Sequence, residues 1–236
     1  MIKRISSNPE KKNKNKKSKN KDSPAAQDER QIIVVNNIQL PSDQDQDLRT
    51  ITLYGDISEK KAGDVTAALL YLENSSHTLL PEDPAAPRAS AADQKILARS
   101  ISLIISTHWG TASDMLSILD IMDMVKSRTC DIETFGIGKV MSAGVPILAA
   151  GTKGQRRIGR NCRIMLHNVM AGSQGTIFSM ENELDEIRWV QERYIECLSS
   201  YTNLTPSKIK KLLKSQKDVF ISAEVAIKMG FADVII

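Results

Sequence analysis

The sequence predicts a mixed α/β fold in which parallel strands are joined by crossover helices. Short β-branched runs at residues 49–54, 102–106, 131–136 and 163–167 read as strands. Between them, apolar residues recur at helical spacing, so that strand, turn and helix alternate along the chain. The chain has 236 residues, 41% of them hydrophobic, which supplies one large core and leaves length for a tail.

The first 30 residues hold ten Lys/Arg and four Asp/Glu, net +6, so the remainder carries net −2 against a chain total of +4. This basic tail has too few apolar residues to repay the entropy of ordering, and it is predicted to be disordered. The folded domain is expected over 31–236, opening with a short strand at Ile32–Val35. Residues 49–55 give a second strand ending in a turn glycine, Gly55. Ala62, Val65, Leu69 and Leu72 then mark one face of a helix over 59–73. Pro81, Pro84 and Pro87 make 75–91 an exposed Pro/Ala-rich loop, since repeated proline removes donors and interrupts regular structure. A short helix at 93–99 precedes the strand at 102–106.

An amphipathic helix follows over 113–126, with Met115, Leu116, Leu119, Met122 and Met124 as apolar surface. The strand at 131–136 leads into a small-residue turn around Ser142 and a helix over 143–150. Residues 152–157 read as a basic turn, and 163–167 as a buried strand delivering His167 at its end. A long helix is expected over 179–201, with Leu184, Ile187, Val190, Tyr194, Leu198 and Tyr201 on one side. Acids near its start suit the positive end of the dipole. Thr205-Pro206 opens a helix to about 216, a further helix runs over 222–229 to Gly230, and a last strand covers 232–236.

Composition excludes several classes. Aromatics are only 4%, a poor supply of base-stacking surface, and nucleic acid is expected at most as a weak partner of the basic tail. No apolar run reaches the ~18 residues a membrane span needs. Residues 152–157 lack the Gly-Lys-Ser/Thr ending of a phosphate loop, so no nucleotide cofactor is expected. His77, His108 and His167 show no ligand spacing, so no metal is expected. Cys130, Cys162 and Cys197 are widely spaced without Cys-x-x-Cys, which predicts reduced thiols in the cytoplasm.

The stretch 136–151 carries the first chemical signal. A serine at a strand-to-helix turn thrusts its hydroxyl out beside unpaired backbone N–H groups, a geometry suited to a nucleophile. It is equally the pattern of a helix cap or a close-packed turn, and a serine needs a base before it can attack.

Three ordered motifs supply the missing partners. Gly138-Lys-Val-Met-Ser142-Ala-Gly144 with Leu148–Gly151, Arg163-Ile-Met-Leu-His167, and Lys217-Asp218-Val-Phe-Ile-Ser-Ala-Glu-Val-Ala226 with Gly230 and Asp233 together resemble the Clp protease proteolytic subunit, ClpP, over about residues 50–236. The resemblance implies the ClpP/crotonase-like fold of repeated ββα units with a long protruding helix, over 179–201 here. It implies a serine endopeptidase with Ser142 as nucleophile, His167 as general base and Asp218 as the acid that orients it. It places oxyanion and substrate-binding donors at Ala143 and in the turn Trp109-Gly110. Partners implied are polypeptide substrates, copies of this chain or related subunits in stacked heptameric rings, and a separate AAA+ unfoldase to supply ATP dependence.

The chain also departs from the family pattern. Ser106-Thr-His-Trp-Gly110 stands where the family has Asn-Ser-Pro-Gly-Gly, Asn168-Val169 where it has Gln-Pro, and Ala143 where it has methionine. Two further readings therefore stay open: a catalytically inactive structural ring subunit, and a stand-alone processing protease, for example viral, of the same fold. A crotonase-type acyl-CoA enzyme shares the fold but does not require this serine, histidine and aspartate in this order.

Overall fold

Strand β2 (Ile101–Thr107) buries every second residue, Ile101, Leu103, Ile105 and Thr107, and this alternation presents one face of the sheet to packed helices. The computed structural model describes residues 48–78, 98–128, 130–214 and 217–236, which fall in one unit, Asp47–Ile236. The expected basic tail, the strand at Ile32–Val35, and most of the Pro/Ala-rich loop and of the short helix at 93–99 lie outside the described residues. Among the described residues, no helix is long and apolar enough to cross a membrane.

β1 (Thr50–Tyr54) pairs in parallel with β2, and β2 with β3 (Ile132–Met141). The connections between them are α1 (Glu59–Thr78) and α2 (Ala112–Arg128), which pack on each other. Ala62, Val65, Leu69 and Leu72 face inward from α1, and Met115, Ile118, Leu119, Met122 and Val125 from α2. Each large side chain so buried contributes about 1.5–3 kcal/mol before entropy is charged against it.

α1 takes in the first four residues of the expected loop, ending at Thr78. The Ser75 and Ser76 hydroxyls bond back to the Leu72 carbonyl and also accept from the buried Arg49 guanidinium, so the last turn is anchored to the residue that precedes β1.

β3 is the hinge of the sheet. Its first half pairs with β4 (Arg156–Ile158), its second with β5 (Arg163–Leu166). The register against β2 jumps from Ile105↔Gly136 to Thr107↔Val140, so two extra residues bulge out of β3 at Ile137-Gly138, where Gly138 takes φ 62°. The strand expected to stop at Gly136 therefore continues, bent, to Met141. β4 corrects the basic-turn reading of 152–157: the turn ends at Gln155, and Arg156 is buried in the sheet.

α3 (Gly144–Ala149) packs on β3, and β7 (Val234–Ile235) extends the sheet beyond β4. β5 pairs antiparallel with β6 (Val219–Ile221), a strand the sequence reading passed over. The long helix α4 (Ile177–Tyr201) is capped by Thr176 and buries only Tyr194, Ile195 and Leu198. Its first half leaves Ile177, Phe178, Leu184 and Trp189 exposed, so of the apolar residues expected on one side only those near its end are buried. α5 (Pro206–Leu213) packs on α4, and α6 (Ala223–Met229) completes the chain before β7.

Candidate active site

The end of β3 delivers Ser142. Met141 is the last ladder partner of Met165 on β5, and the Ser142 N–H still donates to the Met165 carbonyl at 2.9 Å. The chain then turns sharply into α3, with Ser142 at φ 52°, the one non-glycine with positive φ among the described residues. That conformation costs about 1–2 kcal/mol for a residue with a Cβ and persists because ladder bond and helix start fix it from both sides. The turn presses against β2: a Cβ on Gly144 would stand 1.8 Å from the Thr107 hydroxyl, so only glycine fits.

β5 lies beside the second half of β3 and ends at Leu166, which puts His167 next to the turn. His167 Nε2 is 2.7 Å from Ser142 Oγ, and its Nδ1 is 2.5 Å from the Asn168 carbonyl oxygen. A carbonyl can only accept, so Nδ1 carries the proton and Nε2 presents a lone pair; the Ser142 hydroxyl donates to it. Geometrically this is a hydroxyl with a base in place.

The pair opens onto a cavity of about 340 Å³ lined by Trp109, Gly110, Met115, Ala143, Met170 and Tyr194 among others. Tyr194 is buried beneath the turn, its hydroxyl 3.5 Å from the Ser142 carbonyl, and burial pushes its pKa well above the usual phenol value. Burial likewise raises the Cys162 thiol to about 11, which leaves it a poor nucleophile.

Residues 89–236 match the family model described as Clp protease. The chain belongs to the Clp protease family. It is a peptidase, a serine protease of the ClpP kind, and its parallel sheet with flanking helices is the ClpP/crotonase-like fold. Proteins of this family form oligomeric rings and degrade polypeptides.

In this Clp family chain the third expected residue, Asp218, stands just before β6. The pairs Ile164↔Ile221, Met165↔Phe220 and Leu166↔Val219 put it one register step on, opposite His167. Its side chain is exposed and not bonded to His167, whose Nδ1 is occupied by the Asn168 carbonyl.

The turn after β2 divides its two expected donors. The Trp109 N–H is directed to Asp56 Oδ1 at 3.2 Å, and the Trp109 carbonyl accepts from Ile57. Gly110 bridges in parallel to Ile57, whose carbonyl accepts from Thr111 at 3.3 Å, so the Gly110 N–H points away from Ile57. A Cβ on Gly110 would meet Ile57 Cβ at 2.6 Å and Ala143 Cβ at 3.1 Å, which places this glycine hard against the residue after Ser142. The Trp109 ring lies edge-to-face with His167, centroids 5.2 Å apart, and beside His108 at 4.9 Å.

Sequence reading did not single out Asp56, Tyr194 or Gln191, which holds the Val169 N–H at 2.7 Å. The departures at Trp109, which bonds Asp56, and at Asn168-Val169, which bonds Gln191, were the sequence signals beside them.

Proposed function

We propose that this chain is a serine endopeptidase that hydrolyses polypeptides with Ser142 as nucleophile. The observation that carries the reading is the 2.7 Å contact of Ser142 Oγ with His167 Nε2 at a positive-φ turn. His167 accepts the hydroxyl proton as Oγ attacks the scissile carbonyl carbon, and returns it to the leaving amine; water then repeats the sequence on the acyl-enzyme. The N–H groups of Ala143 and Gly110 receive the developing oxyanion, an effect typically worth ~10²–10³ in turnover per donor. Trp109, with its own N–H directed to Asp56, acts through its ring as a wall of the substrate groove. Asp218, opposite His167 in register, supports the imidazolium that forms after proton transfer.

Assembly into stacked heptameric rings, from this chain alone or with related subunits, is part of the proposal. It is supported by the projecting half of α4, where Ile177, Phe178, Met180, Leu184 and Trp189 expose apolar surface that a second ring would cover. Degradation of folded proteins then requires a separate AAA+ unfoldase, and the cytoplasm is the proposed compartment. One observation favours a second reading, an inactive ring subunit: the His167 Nδ1 partner is a neutral carbonyl, and Asp218 is turned to solvent. Labelling with a fluorophosphonate decides between them. The first reading expects covalent modification that Ser142→Ala abolishes; an unlabelled wild-type protein means the second.

A further inference from the structure

The two residues after His167 are anchored to two different helices, one through a helix side chain and the other through a helix main-chain carbonyl. The Val169 N–H donates to Gln191 Oε1 on α4 at 2.7 Å, and Asn168 Nδ2 donates to the carbonyl of Leu213, the last residue of α5, at 2.9 Å. Between these anchors lies the Asn168 carbonyl, 2.5 Å from His167 Nδ1. The bond to Gln191 exists because residue 169 is valine; a proline there has no N–H to give. Gln191 is fixed by that bond on one side only, since its Nε2 is buried without a partner among the described residues. A buried amide nitrogen left unbonded is unfavourable, and it marks a side chain whose acceptor is the atom being used.

We infer that Gln191 and Asn168 are positioning residues for His167: by fixing the Asn168-Val169 peptide they keep its carbonyl on Nδ1 and so select the tautomer that leaves Nε2 bare for Ser142. The inference rests on the proposed role of His167 for its catalytic consequence, though not for the tautomer itself. Neutral imidazole has two tautomers, and only the one protonated on Nδ1 can take a proton from Ser142 through Nε2. In this chain the orientation is set by a main-chain carbonyl, and the carbonyl is set by the long helix. Asp218 keeps the separate task of supporting charge once His167 is protonated. Position 191 thereby ties the reactive histidine to the element whose other half projects from the domain.

The test compares Gln191→Leu, which removes the acceptor at similar volume, with Gln191→Glu, which keeps an acceptor oxygen. Peptide kinetics and 15N NMR of the three histidines, assigned with His167→Ala, are read on the full chain. Gln191→Leu is expected to lower kcat about three- to tenfold with KM within about twofold of wild type, the scale of one lost positioning hydrogen bond. The His167 signal should pass from a single Nδ1-protonated tautomer to a mixture, and Gln191→Glu should restore both kcat and tautomer. Wild-type kcat and an unchanged tautomer in Gln191→Leu overturn the inference. Equal losses in both variants, with equally lowered unfolding temperatures, overturn it in favour of plain packing. Should the wild-type protein have no peptidase activity, the proposed function fails, and the NMR comparison still decides the positioning role.

Discussion

Two corners of the same sheet treat their polar groups in opposite ways. At Arg156, the Nε and Nη2 atoms grip Asp233 at 2.8 and 2.5 Å, and Nη1 donates to the carbonyls of Ala149 and Tyr201. Asp233 also accepts from the backbone N–H groups of Gly154 and Arg156, so β4, the approach to β7 and the ends of α3 and α4 are tied at one point. At Ser142 the backbone is strained, the buried Thr107 hydroxyl has no partner among the described residues, and the Gly110 N–H is turned away from Ile57, to which that residue bridges. The first corner uses its hydrogen-bonding capacity to hold the chain. The second withholds it, which is what a site needs if a substrate's charge is to be received there.

The largest effects should come from breaking the withheld corner. Ser142→Ala is expected to lower peptide turnover by about 10⁴-fold or more while the fold persists, measured with a short fluorogenic peptide and circular dichroism. Ser142→Gly should be equally inactive yet more stable by about 1 kcal/mol in denaturant unfolding, because a glycine relieves the positive φ. A loss of stability in that variant would mean that the turn stores no strain.

Gly110→Ala comes next. Its Cβ would collide with Ile57 and Ala143, so the turn must shift, and kcat should fall about 10²-fold if the Gly110 N–H serves the oxyanion. Retention of full turnover would remove that donor from the proposed site.

At the holding corner, Asp233→Ala should cost about 3 kcal/mol of stability, since it leaves a buried guanidinium without its carboxylate, while turnover per folded molecule is kept. The hydrogen bonds from Arg156 hold the Asp233 carboxyl below the usual carboxylate range. Its contribution is therefore present above the unfolded value of about 4 and is lost as pH falls through the lower folded value. The stability difference between wild type and Asp233→Asn should be constant between about pH 5 and 7 and shrink below about pH 4. A difference that grows as the pH falls would contradict this origin.

The smallest effect, and the one that sharpens the comparison, is Trp109→Gly. Since the Trp109 N–H is directed to Asp56, removing the ring should raise turnover of peptides with bulky side chains by about tenfold and leave small ones little changed. A uniform gain across a peptide panel would show that Trp109 restrains the oxyanion donors themselves.

The alternation of apolar runs and helical spacing was enough to predict a parallel α/β sheet with crossover helices, because burial on one face imposes a period that any sequence must carry. The pairing of Ser142 with His167 was suggested by the ordered family motifs, since a serine in a small-residue turn or a strand-end histidine is by itself as well explained by capping or packing. β4 and β6 were not legible, being three residues each and strands only by virtue of their neighbours. Apolar spacing in α4 likewise did not say which half is covered: Tyr194 and Leu198 are buried, while Leu184 and Trp189 are exposed.

Sequence alone thus determined which residue types stand at the candidate site and in what order they arrive. Tertiary structure alone decided that the Trp109 N–H goes to Asp56, that a carbonyl held through Gln191 meets His167 Nδ1, and that Asp218 lies opposite the histidine without bonding it. The reason is distance along the chain: Asp56 is 53 residues from Trp109, and Gln191 is 22 from Val169. No local pattern encodes contacts of that span, because they follow from the packing of whole elements rather than from the period of any one.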